Sequence, residues 1–225
     1  MASRVGARLT VAATMVLSGC AARAASVGPV DPAAEQAASA ATALKRRLRI
    51  VFEWTLQDRD ARFSGEGATR IEPPYQARLD LFGPRGEAYL SAALVDFELR
   101  LPPGAPADVL PPPPMLWSVL GVFRAPPSAQ LIGVKRDSAQ MELQYRAGDE
   151  TWIFALRGDR LQRAEWQGPA QGRQTVEISS YDARGLPSRV VYRDWRAFRE
   201  LTVTLSQAYE VDTAFPPETW TPGNR

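Results

Sequence analysis

The sequence predicts a mainly β protein, a curved antiparallel sheet or half-barrel of about 9–11 strands with an N-terminal helix and a short apolar helix over the concave face. Three observations carry that expectation. Apolar and polar residues alternate with a period of two through much of the chain from Arg47 to Ser206, the mark of half-buried strands. Gly, Pro and Asp clusters punctuate these runs at short intervals, as hairpins require. Near the middle, Met115–Phe123 is almost wholly apolar and has no wet face, so it needs cover on several sides.

Near the chain's start two arginines, Arg4 and Arg8, precede an uncharged run from Leu9 to Leu17, which leads into Leu17-Ser18-Gly19-Cys20. A basic start, a short apolar stretch and small residues before a cut describe a secretory signal peptide. The run is too short to span a bilayer as a helix. Leu17-Ser18-Gly19-Cys20 resembles the lipobox of bacterial lipoproteins, which implies cleavage before Cys20, lipidation of its thiol and acylation of the new amino terminus. Two or more acyl chains make such anchoring stable. The expected division is a signal peptide at 1–19, a lipidated tether at 20–31 and one domain at 32–225.

Asp31-Pro32 reads as a helix start, with Asp accepting from free amides and Pro at the first helical position. The alanine-rich stretch that follows predicts a helix over 32–45. Leu48, Ile50, Phe52, Trp54 and Leu56 then share one parity of a strand. A second strand, 61–71, carries Phe63, Gly65, Gly67 and Ile71 on one parity and ends at Pro73-Pro74. Residues 75–82 make a third, closed by Gly83-Pro84-Arg85-Gly86, and Val95–Leu101 alternates as part of a long fourth. Seven prolines in 102–114 forbid both helix interior and central strand. With Met115–Phe123 and the closing Pro126-Pro127 they form an insertion over 102–127, in which the apolar run is a lid helix. Alternation resumes at Met141–Tyr145 and Trp152–Leu156, then at Leu161–Trp166, Val176–Ile178, Val190–Tyr192 and Leu201–Leu205.

Composition excludes several chemistries. There is no histidine, and Cys20 is the single cysteine, so Ser-His-Asp and Cys-His catalysis and Cys/His zinc sites have no residues to build on. No calcium-loop motif is present, and no cofactor is expected. The net charge of +2 includes Arg4 and Arg8 of the signal, so the mature part is near neutral and gives no footprint for nucleic acid. Asp58/Asp60 and Asp149/Glu150 sit at expected turns, where solvated acids belong, and the chain reads as a non-enzyme. Arg193-Asp194-Trp195-Arg196 reads as solvated surface or as a contact to lipid head groups.

Three segments carry a wider resemblance. Tyr75–Gly83, Pro114–Gly121 and Tyr181–Val190, in the order lipobox, helix, strands, proline-rich insertion and further strands, resemble the LolA/LolB family of periplasmic lipoprotein carriers and outer-membrane lipoprotein receptors over roughly residues 35–215. The resemblance implies a half-barrel closed by helices around an apolar cavity for acyl chains, and exchange with a periplasmic carrier. It also implies a residue before a glycine on a protruding turn that helps insertion into the membrane. Phe82 before Gly83 holds that place here, although Pro84-Arg85 departs from the family pattern. Ala21 after Cys20 favours the outer membrane, facing the periplasm.

The apolar parity offers Leu48, Ile50, Phe52, Trp54, Leu79, Leu81, Phe97 and Leu99 as cavity lining, with Leu116 and Trp117 on the lid. Each buried methylene of a bound chain contributes about 0.8 kcal/mol. A dry core satisfies the same parity, and the resemblance favours a cavity. The other reading is an assembly lipoprotein that docks protein partners without carrying lipid. Cys20 is testable directly: palmitate labelling in a bacterial host marks the wild type and not Cys20→Ser, and label retained on the variant would remove the anchor.

Overall fold

In the computed structural model, which describes residues 28–105 and 110–223, the alternating runs become twelve strands of one antiparallel sheet. In chain order the elements are α1 (Pro32–Thr42), β1 (Leu48–Asp58), β2 (Ala61–Glu72), β3 (Gln76–Phe82), β4 (Ala88–Val95) and β5 (Glu98–Arg100). Then come α2 (Pro113–Val119), β6 (Gln130–Arg136), β7 (Met141–Ala147), β8 (Glu150–Arg157) and β9 (Arg160–Gln167). β10 (Arg173–Tyr181), β11 (Pro187–Asp194), β12 (Arg199–Glu210) and a short 3-10 turn at Pro217–Trp220 complete the described chain. The signal peptide and Cys20 lie outside the described residues.

The spatial order is β5-β4-β3-β2-β1-β12-β11-β10-β9-β8-β7-β6, so the sheet curves without closing. Its middle is the pair β1·β12, in register from Leu48↔Glu210 to Asp58↔Arg199 with one irregularity at Val51/Phe52. The first and last strands thus join two meanders. One free edge, β6, is partly occupied by the chain's own start, where the Val134 amide donates to the Pro29 carbonyl at 2.9 Å.

Two stretches differ from the sequence expectation. Val95–Leu101 is not one strand: the chain turns at Asp96, whose φ of 53° is left-handed, and Val95 pairs with Glu98. Asp tolerates that conformation, so an unbroken alternation hides a hairpin. β6 lacked a visible period because Leu131, Ile132 and Val134 straddle an irregularity at Leu131/Gly133. Both helices are shorter than expected. α1 ends at Thr42, and α2 takes in Pro113 and Pro114 at its start and stops at Val119, before Gly121 (φ 79°). A Cβ on Gly121 would stand 2.7 Å from Pro187 Cγ, so the exit from α2 also needs the missing side chain.

The buried side chains form two clusters, one under β6–β11 with α1 and one under β1–β4 with part of β12. α2 contributes Met115 to the first and Trp117 to the second, both fully buried. The Trp117 indole donates to the Asp96 carbonyl at 2.6 Å, and its ring meets Tyr75 edge-on at 5.9 Å. On β2, Gly67 leaves room for the Phe52 ring, which a Cβ would meet at 2.2 Å. On the convex face, Asp80 is held by Arg70 and Arg78, and Arg78 also donates to the Thr219 carbonyl of the C-terminal segment.

Trp117→Ala removes the ring and its bond together and is expected to cost about 3–5 kcal/mol, read as a lower urea midpoint. Asp31 supplies a second check. Its carboxylate caps α1 through Ala33 and Ala34 and pairs with Arg136 at 2.8 Å. The Arg136 bond, then the Ala34 amide, hold its pKa below the ordinary value. A lowered folded pKa contributes stability that is complete above about pH 5 and lost as the pH falls through the folded value. The gap in thermal midpoint between wild type and Asp31→Asn, which keeps a cap and loses the charge, should therefore be widest near neutral pH and close on acidification.

Candidate functional site

Curvature turns one parity of β1 inward. Ile50, Phe52 and Trp54 sit on it, and the neighbouring strands add Leu79 and Leu81 from β3 and Leu201, Val203 and Leu205 from β12. The register explains the company: Phe52 lies opposite Leu205 and Trp54 opposite Val203. α2 closes the space with Leu116, Val119 and the following Leu120, while Leu186, Pro187 and Val190 form the far wall. Among the described residues, Thr69 is the only polar one in the lining and no charged residue enters it.

The wall carries few unsatisfied donors. The Trp54 indole donates to the Glu66 carbonyl at 3.0 Å and the Phe82 carbonyl at 3.2 Å, which leaves only the ring face to the pocket. A narrow extension between Trp54, Tyr89, Tyr192 and Leu201 leads towards one rim of the sheet. Burial pushes the Tyr192 phenol well above its usual pKa, so it stays neutral. The closed pocket holds about 80 Å³. At about 30 Å³ per water in the liquid, that is room for two or three solvent molecules. An acyl chain enters only if α2 moves. Among the described residues the main pocket offers one hydroxyl, that of Thr69, so its lining suits hydrocarbon. Among the described residues, no cluster of His, Cys, Asp and Glu is placed to hold a metal.

Of the ten residues expected to line a cavity, the pocket gathers Ile50, Phe52, Trp54, Leu79, Leu81 and Leu116. Leu48 is buried in the core beyond it, at the start of β1. Trp117 is buried behind the lid and does not line the pocket. Phe97 lies elsewhere, in a groove beside α1, where the Arg124 guanidinium sits 4.3 Å from its ring and 3.5 Å from that of Tyr75. Leu99 is half-buried on the edge strand β5. Phe82 is also half-buried, under the C-terminal segment, and Pro84, Arg85 and Gly86 form the exposed tip of its turn. The β12 residues were visible as a strand, but their meeting with β1 joins positions about 150 residues apart, which no local period reveals.

The whole arrangement has counterparts among solved structures. A LolA superfamily protein from Nitrosomonas europaea superposes with a TM-score of 0.59 at 11% identity, over 86% of this chain and 98% of that one. An outer membrane lipoprotein-sorting protein domain from Vibrio parahaemolyticus gives 0.52 at 8% identity, over 82% and 94%. A DUF1329 family protein from Desulfovibrio piger gives 0.51 at 8%, over 85% and 97%. At these identities the likeness is one of fold. No protein-family model matches the chain, and no curated protein matches it in sequence.

Filling the pocket checks its description as a real space. Leu116→Ala should enlarge it and destabilise the fold by about 2–5 kcal/mol. Added benzene should return part of that loss in thermal midpoint, as a dry apolar cavity does. No shift with benzene would mean that the wall collapses.

Proposed function

We propose that this protein is a lipid-anchored periplasmic binder of acyl chains. Held on the outer membrane by lipidated Cys20, it takes chains of lipoproteins or lipids into the space beneath α2 and delivers or inserts them there. The observation that carries the reading is the pocket lining: seventeen apolar side chains and one threonine converge from five strands, α2 and the loops beside them. Surface of that kind rewards hydrocarbon at about 0.8 kcal/mol per methylene and rejects polar ligands, which would lose their water without replacement. The likeness of fold to a lipoprotein-sorting domain supports the same direction. A periplasmic carrier protein is the expected donor.

α2 is the element whose displacement would open the pocket. It spans seven residues, lacks a side-chain cap at its N-terminus and has one side-chain bond to the sheet turn, from Trp117 to Asp96, so Met115 and Trp117, both fully buried, are its main hold on the sheet. Lifting it exposes Leu116, Val119 and Leu120 together with the β1 and β12 wall, so an arriving chain covers area that the lid gives up.

Val203→Trp fills the pocket from its floor. Binding of a fluorescent fatty acid should weaken about ten-fold, roughly 1.4 kcal/mol or two methylenes, while Phe97→Ser, outside the pocket, leaves it unchanged. Equal binding by wild type and Val203→Trp would sink the proposal. The small closed volume favours one second reading, an assembly lipoprotein that docks protein partners. Absence of any lipid in mass spectra of the purified protein, with a stable protein complex recovered instead, would select it.

A further inference from the structure

The antiparallel order places five hairpin ends on one rim: β1–β2, β3–β4, β7–β8, β9–β10 and β11–β12. Four large aromatic residues stand exposed there, Phe63 (41%), Tyr89 (42%), Trp195 (51%) and Phe198 (74%). They are not scattered. Trp54, in the pocket wall, lies 5.1 Å from Tyr89, and Tyr89 lies 5.9 Å from Phe63, so one aromatic path runs from the pocket to the edge. Phe198 is held out by its backbone. It has a φ of 55°, its carbonyl accepts from the Arg59 amide at 3.1 Å, and Arg59 is itself at 51°. A bulky residue in the left-handed region is uncommon and persists where the surroundings impose it. Here two facing turns hold it, and the phenyl ring stands in water.

The charges around these rings are asymmetric. Asp58 is paired with Arg199 at 2.9 Å, Asp194 accepts from the Arg196 and Ala197 amides, and Glu87 accepts from the Arg85 amide. Arg59, Arg62, Arg85 and Arg196 form no ion pair among the described residues, against two acids of these turns, Asp60 and Asp149, without a partner there. Aromatic rings at head-group depth with guanidinium groups beside them are the composition of a membrane–water interface.

We infer that this rim is a second, protein-borne contact with the bilayer, set by Phe198, Trp195, Phe63 and Tyr89 and aided by phosphate groups over the free arginines. The inference goes beyond acyl-chain binding and stands without it. The tether permits the contact. Cys20 and Gly28 are eight residue steps apart, and an extended chain of that length reaches at most about 26–29 Å. Val134, where Pro29 is held, lies only four residues along β6 from Gln130 at the same rim, about 13 Å. Anchor and rim can therefore meet one membrane surface, with the pocket's aromatic path opening onto it.

The test uses the full chain carrying Cys20→Ser, so that no lipid anchors it, floated with vesicles of phosphatidylcholine alone or mixed with phosphatidylglycerol. The added pair Trp195→Ser/Phe198→Ser should lower vesicle binding about ten-fold, whereas Tyr209→Ser, an exposed aromatic at the opposite end of β12, should not change it. Binding that strengthens with phosphatidylglycerol and weakens with salt assigns a share to the arginines. In the Cys20→Ser chain, brominated acyl chains should quench a component of the emission that Trp195→Phe removes. Flotation by the double variant equal to its parent, or no flotation by the parent, overturns the inference. So does self-association that the double variant abolishes without vesicle binding. Fatty-acid binding in solution, measured on the same variants, reports the pocket separately.

Discussion

An antiparallel sheet that curves and does not close must hide its concave face with something other than itself, and everything here follows from how that is done. Seven residues of α2 supply most of the cover. Met115 belongs to one buried cluster and Trp117 to the other, so the helix is the place where two half-cores meet. Among the strand residues, Leu201 of β12 packs against both clusters. The pocket is what remains of the seam between them after Leu116, Val119 and Leu120 have been seated. Site and core are thus the same apolar surface, divided by how well the lid fits.

The pairing of β1 with β12 adds a second constraint. The pocket floor needs Phe52 beside Leu205 and Trp54 beside Val203, so it cannot form until the last strand has arrived. Closing a loop that spans most of the chain is entropically costly and slow, and the open halves meanwhile expose their apolar faces. The wall that suits hydrocarbon is therefore assembled late, from residues that each belong first to a local hairpin.

Much of this was legible beforehand because half-buried strands advertise themselves. The parity of Leu48, Ile50, Phe52 and Trp54 places all four on the inner face, and the proline run announces the break before α2. Periodicity could not distinguish which of those inward residues meet a space and which meet other side chains. Leu48 and Trp117 are buried by neighbours, while Ile50 and Leu116 border the pocket, and the difference lies in long-range register and in the seat of the lid. Phe97 shows a different failure, since an αL aspartate before it turns an apparently continuous strand into a hairpin and carries the ring to another groove. The exposed rim was silent for a simpler reason. Trp195 and Phe198 are turn residues, and a turn has no period from which exposure can be read.

The bond from Val134 to Pro29 bears on how copies of the chain meet when crowded. An unpaired strand edge is an invitation for neighbours to stack. Here the Pro29 carbonyl takes the Val134 amide of β6, and the opposite border shrinks to the three residues of β5. Copies of this chain brought close together are thereby given less reason to pair edge to edge.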